Sequence, residues 1–247
     1  MGLLSKIFGI EQESKGVPTP QELENELRKV CRTGKIQLMF CGIDEDFFGK
    51  DHTKMSESEL WEQLVFYIVA SGLRSKQISY YLKRIKKAGL LDRKKIRRNP
   101  EESKEKFAQK MYGCHNYKSK ADWIVKDAEK LEDGSIKDIL ESAENGEEAR
   151  RKLKREVVGY GLRQSSVFLT SVGYTKELAI LDERVTDYME KIGLKGSHLK
   201  WNKDYLELED VMRDYSDELG FEVSMVTTAI PTALNNKGYA ALSWLMS

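Results

Sequence analysis

The stretch EEARRKLKREVVGYGLRQSSVFLTSVGYTKELAILDERVTDYMEKIG runs from Glu147 to Gly193 and organises the rest of the chain. It starts as a basic helix, breaks at Gly159-Tyr160-Gly161 and resumes as an apolar helix rich in small residues. Two glycines that flank one residue between helices predict a tight hairpin, because glycine adopts a positive φ without a Cβ clash. Such a hairpin leaves backbone N–H groups exposed at the N-terminus of the next helix, where a phosphate can bind.

Asp182 follows the hairpin by about twenty residues and stands where a third helix is predicted to begin. Apolar side chains follow it at helical spacing: Val185, Tyr188, Met189 and Ile192. An aspartate in this place is typical of an N-cap, which is usually only structural. Capping and catalysis are compatible, since a helix N-terminus stabilises a negative charge and fixes its position.

The order helix, G-x-G hairpin, helix, short loop and aspartate resembles the helix-hairpin-helix DNA glycosylases. The segments most similar to the 8-oxoguanine glycosylase branch are Val158-Gly-Tyr-Gly-Leu-Arg163, Phe168-Leu169, Gly173-Tyr174 and Leu178-Ala-Ile-Leu-Asp182. A second patch, Glu59 to Ala70, is similar to the family's first barrel helix. The resemblance covers roughly residues 57–189, with a poorer match in the middle.

The resemblance implies an all-α fold of two helical lobes with a DNA-binding cleft and a helix-hairpin-helix motif. It implies an enzyme that flips a modified base out of double-stranded DNA and cleaves its N-glycosidic bond. Asp182 would stabilise the positive charge that develops on the sugar and accept a proton from the attacking water. The hairpin would hold a phosphate through backbone amides, and its residues are Val158, Gly159, Tyr160, Gly161 and Leu162.

The end of the first barrel helix, Ser71-Gly72-Leu73-Arg74, would face the DNA in these enzymes. A side chain there plugs the gap that the flipped base leaves. Gly72 occupies the approximate position of that plug, so Leu73 or Arg74 would have to serve. The alternative is an ordinary helix end with a glycine C-cap.

Arg163 is the main departure from the family. Bifunctional members carry a lysine two residues after the second hairpin glycine, and a deprotonated lysine attacks the sugar to form a Schiff base. A guanidinium stays protonated and is not a nucleophile, so lyase chemistry is not expected from this position. Monofunctional relatives manage with the aspartate alone, so hydrolysis remains expected. We place Arg163 with Asp182 in the catalytic site, where it could bind a phosphate, and Lys154 or Lys176 would be the fallback amines for a Schiff base.

Basic residues precede the hairpin and support a polyanionic partner: Arg150, Arg151, Lys152, Lys154 and Arg155. Arg155 is the one we assign to DNA binding. A second basic run, residues 93–98, could also contact phosphates, although charge runs are usually solvated faces.

The composition describes an ordinary charge-rich globular protein, with 247 residues and a net charge of +1. Three cysteines without C-x-x-C spacing favour a reducing compartment, and the three histidines do not fall at metal-ligand spacings. We therefore expect no metal and no cofactor, and the resemblance allows a monovalent cation at the hairpin. No apolar run reaches the roughly 18–20 residues of a membrane span. A monomer in the cytoplasm, associated with the nucleoid, is the predicted state.

Residues 1–18 are predicted to be a mobile N-terminus, and 19–247 a glycosylase domain whose N- and C-terminal segments share one lobe. Capping boxes are predicted at Thr19–Glu22 and Ser56–Glu59, and a helix over residues 75–91. Further predictions are N-caps at Ser119 and Ser135, an acidic outer face on the helix that starts near Tyr205, and a tail interrupted by Pro231.

Two rival functions stay open. A DNA-binding protein of the same fold that has lost its activity would lack the lysine, as this chain does. A helical protein-interaction domain would show no salt-dependent affinity for DNA. 8-Oxoguanine is the substrate that the resemblance implies, but the changed lysine position and the divergent tail also fit another lesion or a modified base of foreign DNA.

Overall fold

A computed structural model describes residues 19–33, 50–73, 75–195, 199–200 and 202–237. Within these ranges the regular structure is twelve α-helices and one 3-10 turn at His52–Lys54, with no strand. The predicted all-α class is therefore confirmed. The helices are α1 (Pro20–Thr33), α2 (Glu57–Ala70), α3 (Ser75–Lys87), α4 (Arg93–Arg98), α5 (Pro100–Lys110), α6 (Tyr117–Lys130), α7 (Ser135–Glu141), α8 (Gly146–Glu156), α9 (Leu162–Ser171), α10 (Glu183–Lys191), α11 (Tyr205–Leu219) and α12 (Val223–Asn236).

The described residues divide into two compact units. Those before residue 39 and those from Lys176 onward form the first, which holds α1 and α10–α12. Those from residue 39 to Thr175 form the second, which holds α2–α9. The glycine hairpin belongs to the second unit and Asp182 to the first. A cleft between lobes stays a prediction, and the predicted mobile N-terminus lies outside the described residues.

Capping explains where several helices begin. The predicted boxes are confirmed: the Thr19 amide donates to Glu22 Oε2 at 2.8 Å, and the Ser56 amide donates to Glu59 Oε2 at 2.7 Å. The N-caps predicted at Ser119 and Ser135 are wrong. Asn116 at φ 55° and Gly134 at φ 98° precede those helices instead, so left-handed backbone, not a side-chain cap, starts each of them.

Pro231 does not interrupt the tail, because it lies inside α12, which runs from Val223 to Asn236. A proline removes the N–H that would donate to the carbonyl four residues earlier. Packing outweighs that loss, since Val226, Ala229, Ile230 and Ala233 are completely buried. The helix packs against α1 in the first unit, where the hydroxyl groups of Tyr188 and Tyr215 lie 2.9 Å apart.

The second unit is built around α2, whose Leu60, Leu64 and Val65 are fully buried. The basic run of residues 93–98 forms α4 and is partly structural. Arg93 is buried and donates to Glu57 Oε1 at 3.0 Å, and Arg97 Nε donates to the Ala128 carbonyl at 2.6 Å. The guanidinium groups of both arginines therefore make hydrogen bonds within the fold. No helix in the described part of the chain is long and apolar enough to cross a membrane.

Candidate functional site

The Gly159-Tyr160-Gly161 hairpin joins α8 to α9, as the sequence predicts. Gly159 has φ +84°, and a Cβ there would lie 2.5 Å from Trp123 Cε3. Glycine is thus required at this position by both backbone conformation and space. Gly161 is extended, with φ −103° and ψ −172°, and a Cβ would meet only Gln164 Oε1, at 3.8 Å. The positive φ predicted for the glycine pair is therefore found at Gly159 alone.

One face of α6 supports the hairpin through Trp123, Asp127 and Lys130, which are spaced by four and three residues. Asp127 Oδ1 accepts the Val158 N–H at 2.7 Å. Lys130 Nζ donates to the Arg155 and Glu156 carbonyls at 3.3 and 3.0 Å, at the C-terminus of α8. None of these three contacts is predicted from the sequence. The signal that could have found them is an acid and a tryptophan among the apolar positions of one helix.

Asp127 is fully buried, and its Oδ2 has no hydrogen-bond partner within the part of the chain that the structure describes. Burial raises the pKa of its carboxyl group to about 7, although the Val158 N–H and the positive charge of Lys130 act in the opposite direction. A substantial fraction of this carboxyl group is therefore protonated at neutral pH.

The hairpin amides are not all open to a ligand. The Val158 N–H is bound to Asp127, and the Tyr160 N–H points to the Val157 carbonyl at 3.4 Å. The Gly159, Gly161 and Leu162 amides have no acceptor among the described residues. Of the hairpin amides expected to bind a phosphate, only the N–H groups of Gly159, Gly161 and Leu162 are therefore available, next to the N-terminus of α9.

The Tyr160 side chain is part of the core and does not face solvent. Its hydroxyl donates to the Leu64 carbonyl at 3.0 Å, and its ring lies edge-on to Phe168 with 6.1 Å between centroids. Tyr160 would serve DNA binding only by fixing the hairpin backbone against α2.

Only part of the basic cluster on α8 faces solvent. Arg150 is buried beside Ser166 Oγ, and Lys152 Nζ donates to the Ser142 carbonyl at 2.7 Å. Arg151, Lys154 and Arg155 are exposed. The Arg155 side chain is 72% exposed and pairs with Glu156 at 2.7 Å. Of the five basic residues predicted to face a polyanion, three are therefore exposed to solvent.

Leu73, one of the two residues predicted as the plug, is buried at the end of α2. Leu73 is only 9% exposed and lines an open pocket of about 570 Å³ together with Gln77, Tyr112 and His115. Its side chain does not project into solvent, as intercalation between bases would require. Arg74 lies outside the described residues.

Arg163 lies half-buried in the first turn of α9, two residues after Gly161 as the sequence indicates. The neighbouring Gln164 Nε2 lies 3.4 Å from Ser71 Oγ and links this turn to the end of α2. The guanidinium group of Arg163 therefore lies at the positive end of the α9 dipole, which disfavours a positive charge at this position.

Asp182 is the N-cap of α10, which confirms its predicted structural role. Its Oδ1 accepts the Val185 N–H at 3.1 Å, and its Oδ2 lies 3.4 Å from the Arg184 guanidinium. The side chain is 13% exposed, so the carboxyl group is largely shielded yet reaches the surface of the first unit. A carboxylate fixed in this way could stabilise a cationic transition state. The catalytic role of Asp182 stays a prediction.

The sequence of this chain is similar to those of known DNA glycosylases. The family model described as 8-oxoguanine DNA glycosylase matches residues 44–221. An 8-oxoguanine DNA glycosylase/AP lyase of Methanocaldococcus jannaschii is 35% identical over 130 residues, which are 50% of this chain and 58% of that protein's own length. A protein of the same description from Sulfurisphaera tokodaii is 26% identical over 203 residues, covering 81% of this chain and 93% of that protein.

Solved structures share the fold. The crystal structure of the M. jannaschii 8-oxoguanine DNA glycosylase has a TM-score of 0.66 and 24% identity, covering 88% of this chain and 95% of that chain. The M. jannaschii 8-oxoguanine glycosylase/lyase in complex with a 15mer DNA containing 8-oxoguanine has a TM-score of 0.64 and 25% identity, covering 87% and 97%.

Proposed function

Since this chain belongs to the 8-oxoguanine DNA glycosylase family, we propose that it removes a damaged base from double-stranded DNA by cleaving the N-glycosidic bond. The substrate that we propose is 8-oxoguanine or a similarly modified base. The names of the relatives, one of which was solved with DNA that contains 8-oxoguanine, support this choice. The observation that carries the proposal is Asp182, a shielded carboxyl group fixed at a helix N-terminus.

The hairpin would anchor the DNA. The Gly159, Gly161 and Leu162 amides have no acceptor among the described residues and adjoin the N-terminus of α9, an arrangement suited to a phosphate oxygen. Arg155 and Arg163 would add positive charge beside it. Binding through phosphates should weaken steeply as salt rises.

Asp182 would act on the sugar of the flipped nucleotide. Extruding the base costs a few kcal/mol, and least when the base is damaged or mispaired. As the bond between C1′ and the base nitrogen breaks, its electron pair leaves with the base and positive charge develops on the sugar. The Asp182 carboxylate stabilises that charge and accepts a proton from the water that attacks C1′. The departing base takes up one proton, which balances the one that Asp182 receives from the water, so the products are the free base and an abasic site.

We further propose that the reaction is hydrolytic and that Arg163 forms no Schiff base. A guanidinium cannot supply the neutral amine that attacks C1′ in the lyase pathway. A cation beside a developing oxocarbenium would also oppose the reaction unless a DNA phosphate neutralised it. We therefore assign Arg163 to phosphate binding within the site.

The test is a strand-cleavage assay on duplexes that carry a panel of modified bases, each treated with and without alkali. We expect breaks only after alkali, and a loss of at least about 100-fold in rate in Asp182→Asn. Breaks without alkali, with a product trapped by borohydride, would show that another amine replaces the missing lysine. Salt-sensitive binding with no breaks on any duplex would contradict the glycosylase proposal and favour a DNA-binding protein of the same fold.

A further inference from the structure

The loop that leads into Asp182 is held at each successive amide by a buried side chain. The Ala179 N–H donates to Glu209 Oε1 at 2.8 Å, and the Ile180 N–H donates to Thr227 Oγ1 at 3.1 Å. The Leu181 N–H points to the Tyr205 hydroxyl at 3.4 Å, and that hydroxyl donates to the Ala179 carbonyl at 2.7 Å. Three consecutive residues before the candidate catalytic carboxylate are thus fixed by side chains, not by regular structure.

Two of these side chains come from one face of α11. Tyr205 and Glu209 are four residues apart and therefore lie one above the other on the helix. The sequence predicts an acidic outer face for this helix, but Glu209 is only 1% exposed and points inward. Its other oxygen, Oε2, lies 3.9 Å from the Arg213 guanidinium.

Glu209 is a costly residue to bury beside a backbone amide. Burying a carboxyl group costs several kcal/mol unless it is paired and hydrogen-bonded, and apolar packing alone would not need an acid here. Its bond to Ala179 is short and lies three residues before Asp182. The side chain therefore fixes the backbone that sets where α10 begins, and with it the direction of the Asp182 carboxylate.

We propose that Glu209, together with Tyr205, is a positioning residue for Asp182. The two side chains tie the 179–181 backbone to α11, and this tie, which we call the α11 brace, holds the Asp182 carboxylate where positive charge develops on the sugar. The proposal rests on the proposed glycosylase function. A displacement of about 1 Å in a catalytic group can cost on the order of 100-fold in rate.

Single-turnover cleavage rates and DNA dissociation constants separate positioning from general stability. We expect Glu209→Ala to slow base excision by about 10- to 100-fold while the dissociation constant stays within about twofold. Glu209→Gln keeps an oxygen acceptor for the Ala179 N–H and should stay within about threefold of the wild-type rate. Tyr205→Phe removes the hydroxyl group that contacts the Leu181 N–H and the Ala179 carbonyl, and it should slow excision. Glu207→Ala makes the same chemical change at an exposed position of the same helix and is the matched control, with an unchanged rate.

A double-mutant comparison tests whether the brace acts through Asp182. If it does, Glu209→Ala should have no further effect on the residual rate of Asp182→Asn. Equal multiplicative losses in both backgrounds, or a Glu209→Gln variant as slow as Glu209→Ala, would overturn the proposal.

Amide hydrogen exchange of residues 178–186 supplies a readout that needs no activity. Faster exchange in Glu209→Ala, but not in Glu209→Gln, is the expected result, and unchanged exchange in both would overturn the brace. If the wild-type protein cleaves no duplex, the proposed function fails while this exchange comparison still decides whether the brace holds the loop.

Discussion

Replacing Asp127 by asparagine should make the stability of the protein less dependent on pH. Burial raises the pKa of this carboxyl group from 3.8 to about 7. The folded protein therefore keeps a proton that the unfolded chain releases, and the stability that this carboxyl group contributes is complete below about pH 4 and is lost as pH rises towards 7. Asparagine keeps an oxygen for the Val158 N–H but carries no ionisable group.

The size of the effect follows from the two pKa values. Each unit of difference is worth about 1.36 kcal/mol, so a shift of about three units costs the folded state roughly 4 kcal/mol once Asp127 is ionised. Between pH 5 and pH 8, the wild type should lose about 2.5 kcal/mol relative to Asp127→Asn. Both side chains leave one buried polar group without a partner, so that cost largely cancels in the comparison.

Urea denaturation followed by tryptophan fluorescence at pH 5, 6, 7 and 8 measures this difference. Glu129→Gln, on the exposed face of the same helix, is the matched control and should follow the wild-type curve. A free-energy difference between wild type and Asp127→Asn that is the same at pH 5 and pH 8 would refute the reasoning. So would a variant that becomes less stable than wild type as pH rises.

Three further predictions concern the hairpin and its neighbours. Gly159→Ala should lower the free energy of unfolding by roughly 2–4 kcal/mol and weaken DNA binding, because its Cβ would meet Trp123 and its φ is positive. Gly161→Ala should lower the free energy of unfolding much less, because its Cβ would meet only Gln164. Urea denaturation and DNA-binding titrations measure both effects. Arg163→Lys should introduce alkali-independent strand breaks and a borohydride-trapped complex, with Arg163→Gln as the control that gains no lyase activity; no trapped complex would contradict the assignment of this position. Arg155→Ala should reduce the slope of log affinity against log salt by about one, and an unchanged slope would exclude it as a phosphate contact.

Local sequence rules predict much of the fold and part of the site. The capping boxes, the break at Gly159 and the N-cap at Asp182 follow from chemistry within a few residues, and all three are found. A local rule fails at Pro231, which the sequence marks as a break. Burial of nearly every neighbouring side chain on α12 outweighs one lost backbone bond there.

The parts that were not predicted depend on residues distant in the chain. Asp127 reaches the hairpin across 31 positions, and Glu209 reaches Ala179 across 30. On charge-rich helices the sequence pattern predicts that polar residues face solvent. Only the packed structure shows which of these residues point into the core. For the same reason, Arg93 and Arg150 were assigned to charged surfaces although both are buried.

The hairpin in the second unit and the loop before Asp182 in the first unit are each bound by a buried carboxyl group that accepts a backbone N–H. An amide side chain would accept the same bond without the cost of burying a charge, so the hydrogen bond alone explains neither acid. The surroundings differ: Glu209 has the Arg213 guanidinium near its second oxygen, whereas the second oxygen of Asp127 has no partner among the described residues. A partly protonated Asp127 is consistent with a phosphate anchor, because a carboxylate behind the hairpin would repel the phosphate that its amides are proposed to bind. Asp127 therefore favours phosphate binding at the hairpin when its carboxyl group is neutral. Glu209, in contrast, is buried beside the positive charge of Arg213.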